Sequence, residues 1–309
     1  MALKPVRPER LIIRPPSEWR SMLVRVTRGC KWNRCKFCGQ YPAFGEPAFS
    51  VRDVDDVKDD IDWFAARMPF LTTAFLGDAD PLCRPLKESL DIISYLRIKN
   101  PRLERVTAYA RAQTMWKLGE PGLKQLARAG LNRLHIGLES GDLQTLKFQF
   151  KGQTPKIVVQ AGQWIKNAGI ELSLYVLLGI AGQYRWKEHC DETANALNIV
   201  NPDFIRMRRL WVYQGGEGAM MLENPLCHEV KNGNFTPQTA EGTVKELRRI
   251  LSRLENITGS MVCDHANNYV TVEGRMPDDK EKMLAAIDEF LSLPEHDRNA
   301  HYEAVGSTI

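Results

Sequence analysis

Three of the chain's seven cysteines, Cys30, Cys35 and Cys38, fall within nine residues, in the segment Arg25-Val-Thr-Arg-Gly-Cys30-Lys-Trp-Asn-Arg-Cys35-Lys-Phe-Cys38. The other four (Cys83, Cys190, Cys227 and Cys263) are solitary. Thiolates are soft ligands that suit iron–sulfur clusters and zinc. A closed zinc site wants a fourth Cys or His. The nearest such residue, Cys83, lies some 45 positions beyond Cys38. Three thiolates can instead hold three irons of a [4Fe–4S] cluster and leave the fourth iron open to a substrate or cofactor. The cluster is the favoured reading; zinc and unligated thiols are the alternatives.

A short ligand loop needs a frame. The chain alternates short apolar runs, rich in β-branched and large side chains, with amphipathic stretches. The runs are Met22–Thr27, Thr73–Gly77, Arg105–Ala108, Arg133–Leu138, Leu172–Leu178 and Phe204–Met207. Ser50 with Asp53 resembles a capping box ahead of a helix faced by Val54, Val57, Ile61 and Phe64. Leu86, Leu90, Ile93 and Leu96 face a second helix that Asn100-Pro101 stops, and Thr154-Pro155 opens a third that Gly169 ends. Six strands alternating with helices imply right-handed βαβ units on a parallel sheet, either flat and doubly wound or an open partial barrel. Trp211–Phe235 reads as a long loop, followed by helices from about Pro237 and Pro277. The expected domains are an N-terminal extension over 1–20, a core over 21–215, and a C-terminal extension over 216–309 packed on the sheet.

With 309 residues, 43% hydrophobic and 26% charged, the chain is of ordinary globular composition, which excludes intrinsic disorder and fibrous folds. The net charge of +4 is scattered, so nucleic-acid binding is not indicated. No apolar run approaches 18 residues, so no transmembrane helix is expected. The first residues lack the apolar core of a secretory signal, and cytoplasmic localisation is the expectation. In a reducing compartment, grouped cysteines bind metal or do chemistry more often than they form disulfides.

The cysteine segment, ending in an aromatic–Cys pair after the first strand, resembles the signature of the radical S-adenosylmethionine (SAM) superfamily. The spacing here, Cys-x4-Cys-x2-Cys, is that of a minority branch; the usual one is Cys-x3-Cys-x2-Cys. The resemblance covers residues 20–215 and implies a partial (β/α)6 TIM-like barrel with a small C-terminal helical extension. It implies a [4Fe–4S] cluster on Cys30, Cys35 and Cys38, with SAM on the open iron. The implied activity is reductive cleavage of SAM to a 5′-deoxyadenosyl radical that abstracts hydrogen from a small-molecule substrate, an oxidoreductase-type reaction. A one-electron donor such as flavodoxin or ferredoxin is the implied partner.

Further segments resemble the superfamily's secondary motifs. Leu76-Gly-Asp-Ala-Asp-Pro-Leu82 stands where relatives meet the SAM amino group, which implies close backbone approach at Gly77 and an ion pair from Asp78 or Asp80. His135-Ile-Gly-Leu-Glu139-Ser140-Gly141 is similar to the ribose-contacting segment of the oxygen-independent coproporphyrinogen oxidase-like group. Leu178-Gly-Ile-Ala-Gly182 resembles the motif beside adenine, and Phe37 would flank the same ring. Tyr109, Arg111, Tyr175, Arg206 and Arg208 lie at strand ends, where barrel enzymes keep their active sites. Arg111 and Arg206 are candidate clamps for a carboxylate of substrate or SAM; pairing with helix carboxylates is the alternative.

The polar stretch Cys263–Arg275 (Asp-His-x-x-Asn-Tyr, then Gly-Arg-x-Pro) resembles a segment in superfamily members of this size. It is expected to be a lid bringing His265, Asn268 or Tyr269 to the cavity, and removable without loss of cluster or SAM. Two other functions stay open: a tetrapyrrole-directed, coproporphyrinogen-oxidase-like activity, and a non-catalytic iron–sulfur sensor.

Overall fold

The computed structural model describes residues 12–43, 48–212 and 223–306. Its strands are β1 Met22–Arg25, β2 Thr27–Arg28, β3 Ser50–Val51, β4 Thr73–Gly77, β5 Arg105–Ala110, β6 Arg133–Glu139, β7 Glu171–Leu178, β8 Phe204–Arg209, β9 Ser260–Cys263 and β10 Val272–Arg275. The helices are α1 Gln40–Ala43, α2 Val54–Arg67, α3 Leu86–Lys99, α4 Ala112–Ala129, α5 Leu143–Phe148 and α6 Pro155–Asn167. They continue with α7 Trp186–Val200, α8 Pro225–Lys231, α9 Ala240–Ser252, α10 Lys280–Ser292 and α11 Glu295–Gly306. None of them is long and apolar enough to cross a membrane, among the described residues.

Eight strands form one sheet in the order β1-β4-β5-β6-β7-β8-β9-β10. All neighbours pair in parallel except β9 with β10. Each parallel crossover carries a helix, and the result is the TIM-like partial barrel with α/β layering. Side chains alternate about the sheet. On β8, Ile205 and Met207 are buried toward the helices, while Phe204, Arg206 and Arg208 line the other face. That other face is the barrel interior, where Phe75 meets Tyr109 with ring centroids 5.2 Å apart, and Tyr109 meets His135 at 6.0 Å.

All six expected strands form. Thr154 caps α6 with its side chain, accepting from Ile157 N–H. Asp53, not Ser50, stands at the N-cap position of α2, without a side-chain cap bond; Ser50 belongs to the β2–β3 pair. The expected loop from Trp211 holds α8, whose Asn224 side chain accepts from Cys227 N–H; residues 213–222 of that loop lie outside the described residues.

The C-terminal part is more than a helical appendage. Ser260 pairs with Phe204 and Val262 with Arg206, so β9 continues the parallel sheet and β10 closes its edge. Met261 and Cys263 are fully buried. The segment expected to be a removable lid is therefore anchored at both ends in the main sheet.

The bottom of the barrel is closed by Glu18, from a 3-10 helix over Pro16–Glu18. Its buried carboxylate accepts from Ser21 Oγ (2.7 Å) and Arg105 Nη2 (3.5 Å), and lies 3.7 Å from His135 Nε2.

Candidate functional site

The three cysteines lie at the end of the barrel toward which the parallel strands point. Their loop leaves β2 through Gly29, whose φ of +73° suits glycine, and Asn33 also takes a positive φ of 42°. The loop is seated by protein contacts. Trp32 packs on Gly152, where a Cβ would stand 2.3 Å from the indole, and Trp32 Nε1 donates to Phe150 O at 2.6 Å. Lys36 N donates to Gln149 O at 2.9 Å. Asn33 N–H lies 3.5 Å from Cys30 Sγ, and Gln40 N–H bonds Cys38.

Burial pushes the Cys35 thiol up to about 12 and raises Cys38, with the neighbouring cysteines adding to the effect. The three thiols thus feel one another across a partly desolvated loop. Iron must offset that burial to hold them as thiolates. The donor set fits an iron–sulfur cluster: three soft sulfurs, backbone N–H groups aimed at two of them, and a cation alongside. Among the described residues, no three His, Cys, Asp or Glu side chains gather closely enough for a single metal ion.

That cation, Lys151, is what sequence reasoning missed. Its Nζ pairs with Glu139 Oε1 at 2.7 Å and sits 5.6 Å from the Phe37 ring centroid. Burial opposes its charge, but Glu139 and Cys35 together raise its pKa. No motif marks it; the only signal is its place beside Gly152, whose positive φ turns the chain back under the cysteine loop.

Other predicted residues are brought to the site but bound to protein. Asp78, fully buried, accepts from Gly29 N–H at 3.0 Å, and its Oδ1 lies 3.5 Å from Arg25 Nε. It ties β4 to the residue before Cys30. Asp80 accepts from Arg111 N–H (3.3 Å) and Thr114 Oγ1 (2.6 Å), capping the start of α4. A Cβ on Gly77 would lie 2.7 Å from Ile12 Cγ2, so the close approach there is made by the N-terminal segment. Arg111 donates to Gly152 O at 3.3 Å and lies 5.2 Å from the Trp32 ring, beneath the cysteine loop.

Ser140 is buried and shares a 2.8 Å hydrogen bond with His189 Nδ1. Gly141 approaches α7 so closely that a Cβ would stand 2.1 Å from Glu192 O. Gly182, at φ +62°, turns beneath Thr236, whose carbonyl accepts from Gln183 N–H. Behind these turns, Glu246 of α9 accepts from Gly179 N–H at 2.6 Å and lies 3.8 Å from His189 Nε2. One buried pair therefore braces the ends of both β6 and β7.

Tyr109, Tyr175 and Arg206 share the barrel interior, joined by His135 and Arg208. In the lid segment, Asn267 and Asn268 bond the carbonyls of Arg209 and Met207. Tyr269 stacks outward on Arg209 and Tyr302. His265 pairs with Asn267, and burial with the Arg208 charge lowers its pKa. A cavity of about 420 Å³ opens between α5 and the turn after β7, lined by Phe148, Ile180, Ala181 and Phe235.

A thiol-bearing loop at the strand-end rim of a partial parallel barrel defines an iron–sulfur enzyme frame. The radical SAM superfamily profile matches residues 24–194, over half of the chain, and the chain belongs to that superfamily. Its cofactors are accordingly a [4Fe–4S] cluster and SAM, and it is an enzyme. An uncharacterised methyltransferase of Pyrococcus horikoshii is 25% identical over 211 residues, covering 65% of this chain and 44% of that protein. The chain thus spans less than half the length of this curated relative. The coproporphyrinogen III oxidase of Escherichia coli superposes with a TM-score of 0.54 at 14% identity, covering 80% of this chain and 52% of that one. A radical SAM methyltransferase of Kitasatospora setae gives 0.53 at 15%, covering 78% and 54%. These two likenesses show a shared fold.

Proposed function

We propose that this chain cleaves SAM reductively and directs the product radical at a small molecule held in the barrel. The observation that carries this reading is the seating of the three-cysteine loop against the Lys151–Glu139 pair. When bound, the cluster would supply the single electron for reductive cleavage of SAM. Cys30, Cys35 and Cys38 would hold the cluster. Lys151, a partly buried ammonium, would take the SAM carboxylate, and Glu139 would accept from the ribose hydroxyls. Phe37 would offer an apolar face for adenine, beside the turn at Gly182. Asp78 and Arg111 would help to position the cysteine loop through Gly29 and Gly152. Tyr109, Tyr175 and Arg206 would face the substrate, with His265 at its edge. An external one-electron donor, such as flavodoxin or ferredoxin, completes the reaction.

A second reading, methyl transfer from SAM, has the Pyrococcus horikoshii relative's name in its favour. One experiment tests both. Anaerobically reconstituted protein is given dithionite and SAM, and the quenched mixture is chromatographed. Release of 5′-deoxyadenosine is expected, with iron lost in Cys30→Ala, Cys35→Ala and Cys38→Ala. Retention of iron in all three variants would overturn the cluster assignment; S-adenosylhomocysteine as the sole product would favour methyl transfer.

A further inference from the structure

Arg206 is a buried cation on the inner face of the barrel. Only 6% of it is exposed, its Nε donates to Ser173 Oγ at 3.2 Å, and its Nη groups have no hydrogen-bond partner among the described residues. No ion pair with Arg206 occurs among them either. A guanidinium so largely shielded from water, with no counter-charge in contact, is costly, so folded chains seldom keep one without a use for it.

Its neighbours share this deficit. Tyr175 pairs with Arg206 in the β7–β8 register, and its buried hydroxyl has no partner. Arg208, two residues on and on the same face, lies 5.6 Å from the Tyr175 ring. It donates from Nη1 to Asp264 Oδ1 at 3.2 Å, while its buried Nη2 is unpartnered. His135, 1% exposed, leaves Nδ1 without a partner. The Tyr109 and His135 rings lie 6.0 Å apart and the His135 and Tyr175 rings 6.2 Å apart, which places these groups around one volume. Two carboxylates reach this volume, but Asp264 is engaged by Arg208 and Glu18 by Ser21 and Arg105 at the barrel bottom, so neither meets Arg206. An amine would be repelled at this spot, and an uncharged sugar would leave Arg206 unneutralised.

Resting on the radical SAM reading, we propose that the barrel interior is an oxyanion site. The substrate carries a carboxylate or phosphate that Arg206 and Arg208 clamp, with Tyr175 as a further donor. The SAM carboxylate is a different anion, taken at Lys151 beside the cysteines. The anchor on β8 would leave the rest of the substrate to extend toward the rim.

Thermal shift and calorimetric titration of the protein with succinate and with inorganic phosphate, at ionic strength held constant with sodium chloride, test this. Binding of one anion per chain is expected, and whichever arm responds names the group. Arg206→Met should lose at least about tenfold in that affinity, the loss of one charge-assisted contact. The same variant should melt no lower than wild type, because it removes an uncompensated charge. Arg206→Lys, which keeps the charge without the fork, should retain part of the response. No response of wild type to either anion, or an equal response in Arg206→Met, would overturn the proposal. Iron content of the same preparations reports separately on the radical SAM reading.

Discussion

Replacing Glu246 by Gln removes a carboxyl group that is 0% exposed and that accepts from Gly179 N–H (2.6 Å) and Gln238 Nε2 (2.9 Å). Burial raises this carboxyl from 4.5 to about 7. Each unit is worth about 1.4 kcal/mol, so the shift amounts to about 3 kcal/mol. The folded chain holds the proton more tightly than the unfolded one. The group's contribution to stability is therefore complete below about pH 4.5 and is lost as pH rises through about 7. His189 acts in the opposite sense: burial lowers it to about 4, so stability falls as pH drops from 6.5 toward that value. Comparing Glu246→Gln with wild type at each pH cancels the His189 contribution to first order, since both chains carry it. The wild-type advantage should thus shrink by about 3 kcal/mol across that interval. Urea denaturation of cluster-free protein, followed by tryptophan fluorescence, measures the difference. A gap that does not change with pH would show that Glu246 is not held neutral by burial, and would refute the reasoning.

Gly141→Ala should cost about 1–3 kcal/mol, because the new methyl meets the Glu192 carbonyl, which is backbone and cannot turn aside; a wild-type melting temperature would contradict this. Lys151→Met should keep iron but weaken SAM binding by about tenfold or more, as expected for a lost charge-assisted bond, and calorimetry with SAM on anaerobic protein checks it. A chain ending at Gly259 loses β9 and the buried Met261, Cys263, Met283 and Ile287, so it should fail to give a cooperative unfolding transition.

Much of the frame was legible because its signals are local. Thr73–Gly77 reads as a strand from composition alone, and Thr154-Pro155 announces its helix by cap chemistry. What escaped depends on distant partners. α4 carries Gly119 and Pro121 within its span, with Gly119 at φ +66°, so its pattern is broken where the chain kinks. β9 and β10 have four residues each and exist as strands because β8 offers an edge. At the site, the cysteines could be read from spacing, and Asp78 and Arg111 could be placed near them but not matched to their protein partners. Both sit at the rim as expected; only the folded loop shows that their polar groups hold Gly29 and Gly152. Lys151 could not have been singled out among 42 cations without its ion pair.

The seat of the cysteine loop is made of protein alone: an indole on a glycine, and hydrogen bonds to the carbonyls of Gln149 and Phe150. None of these contacts uses a sulfur, so they narrow the loop's freedom through its backbone and Trp32 and lower the chain entropy that ligation must offset. The cysteines and residues 149–152 are thereby coupled: a side chain added at Gly152 would push on the indole and, through it, on the spacing of the thiols.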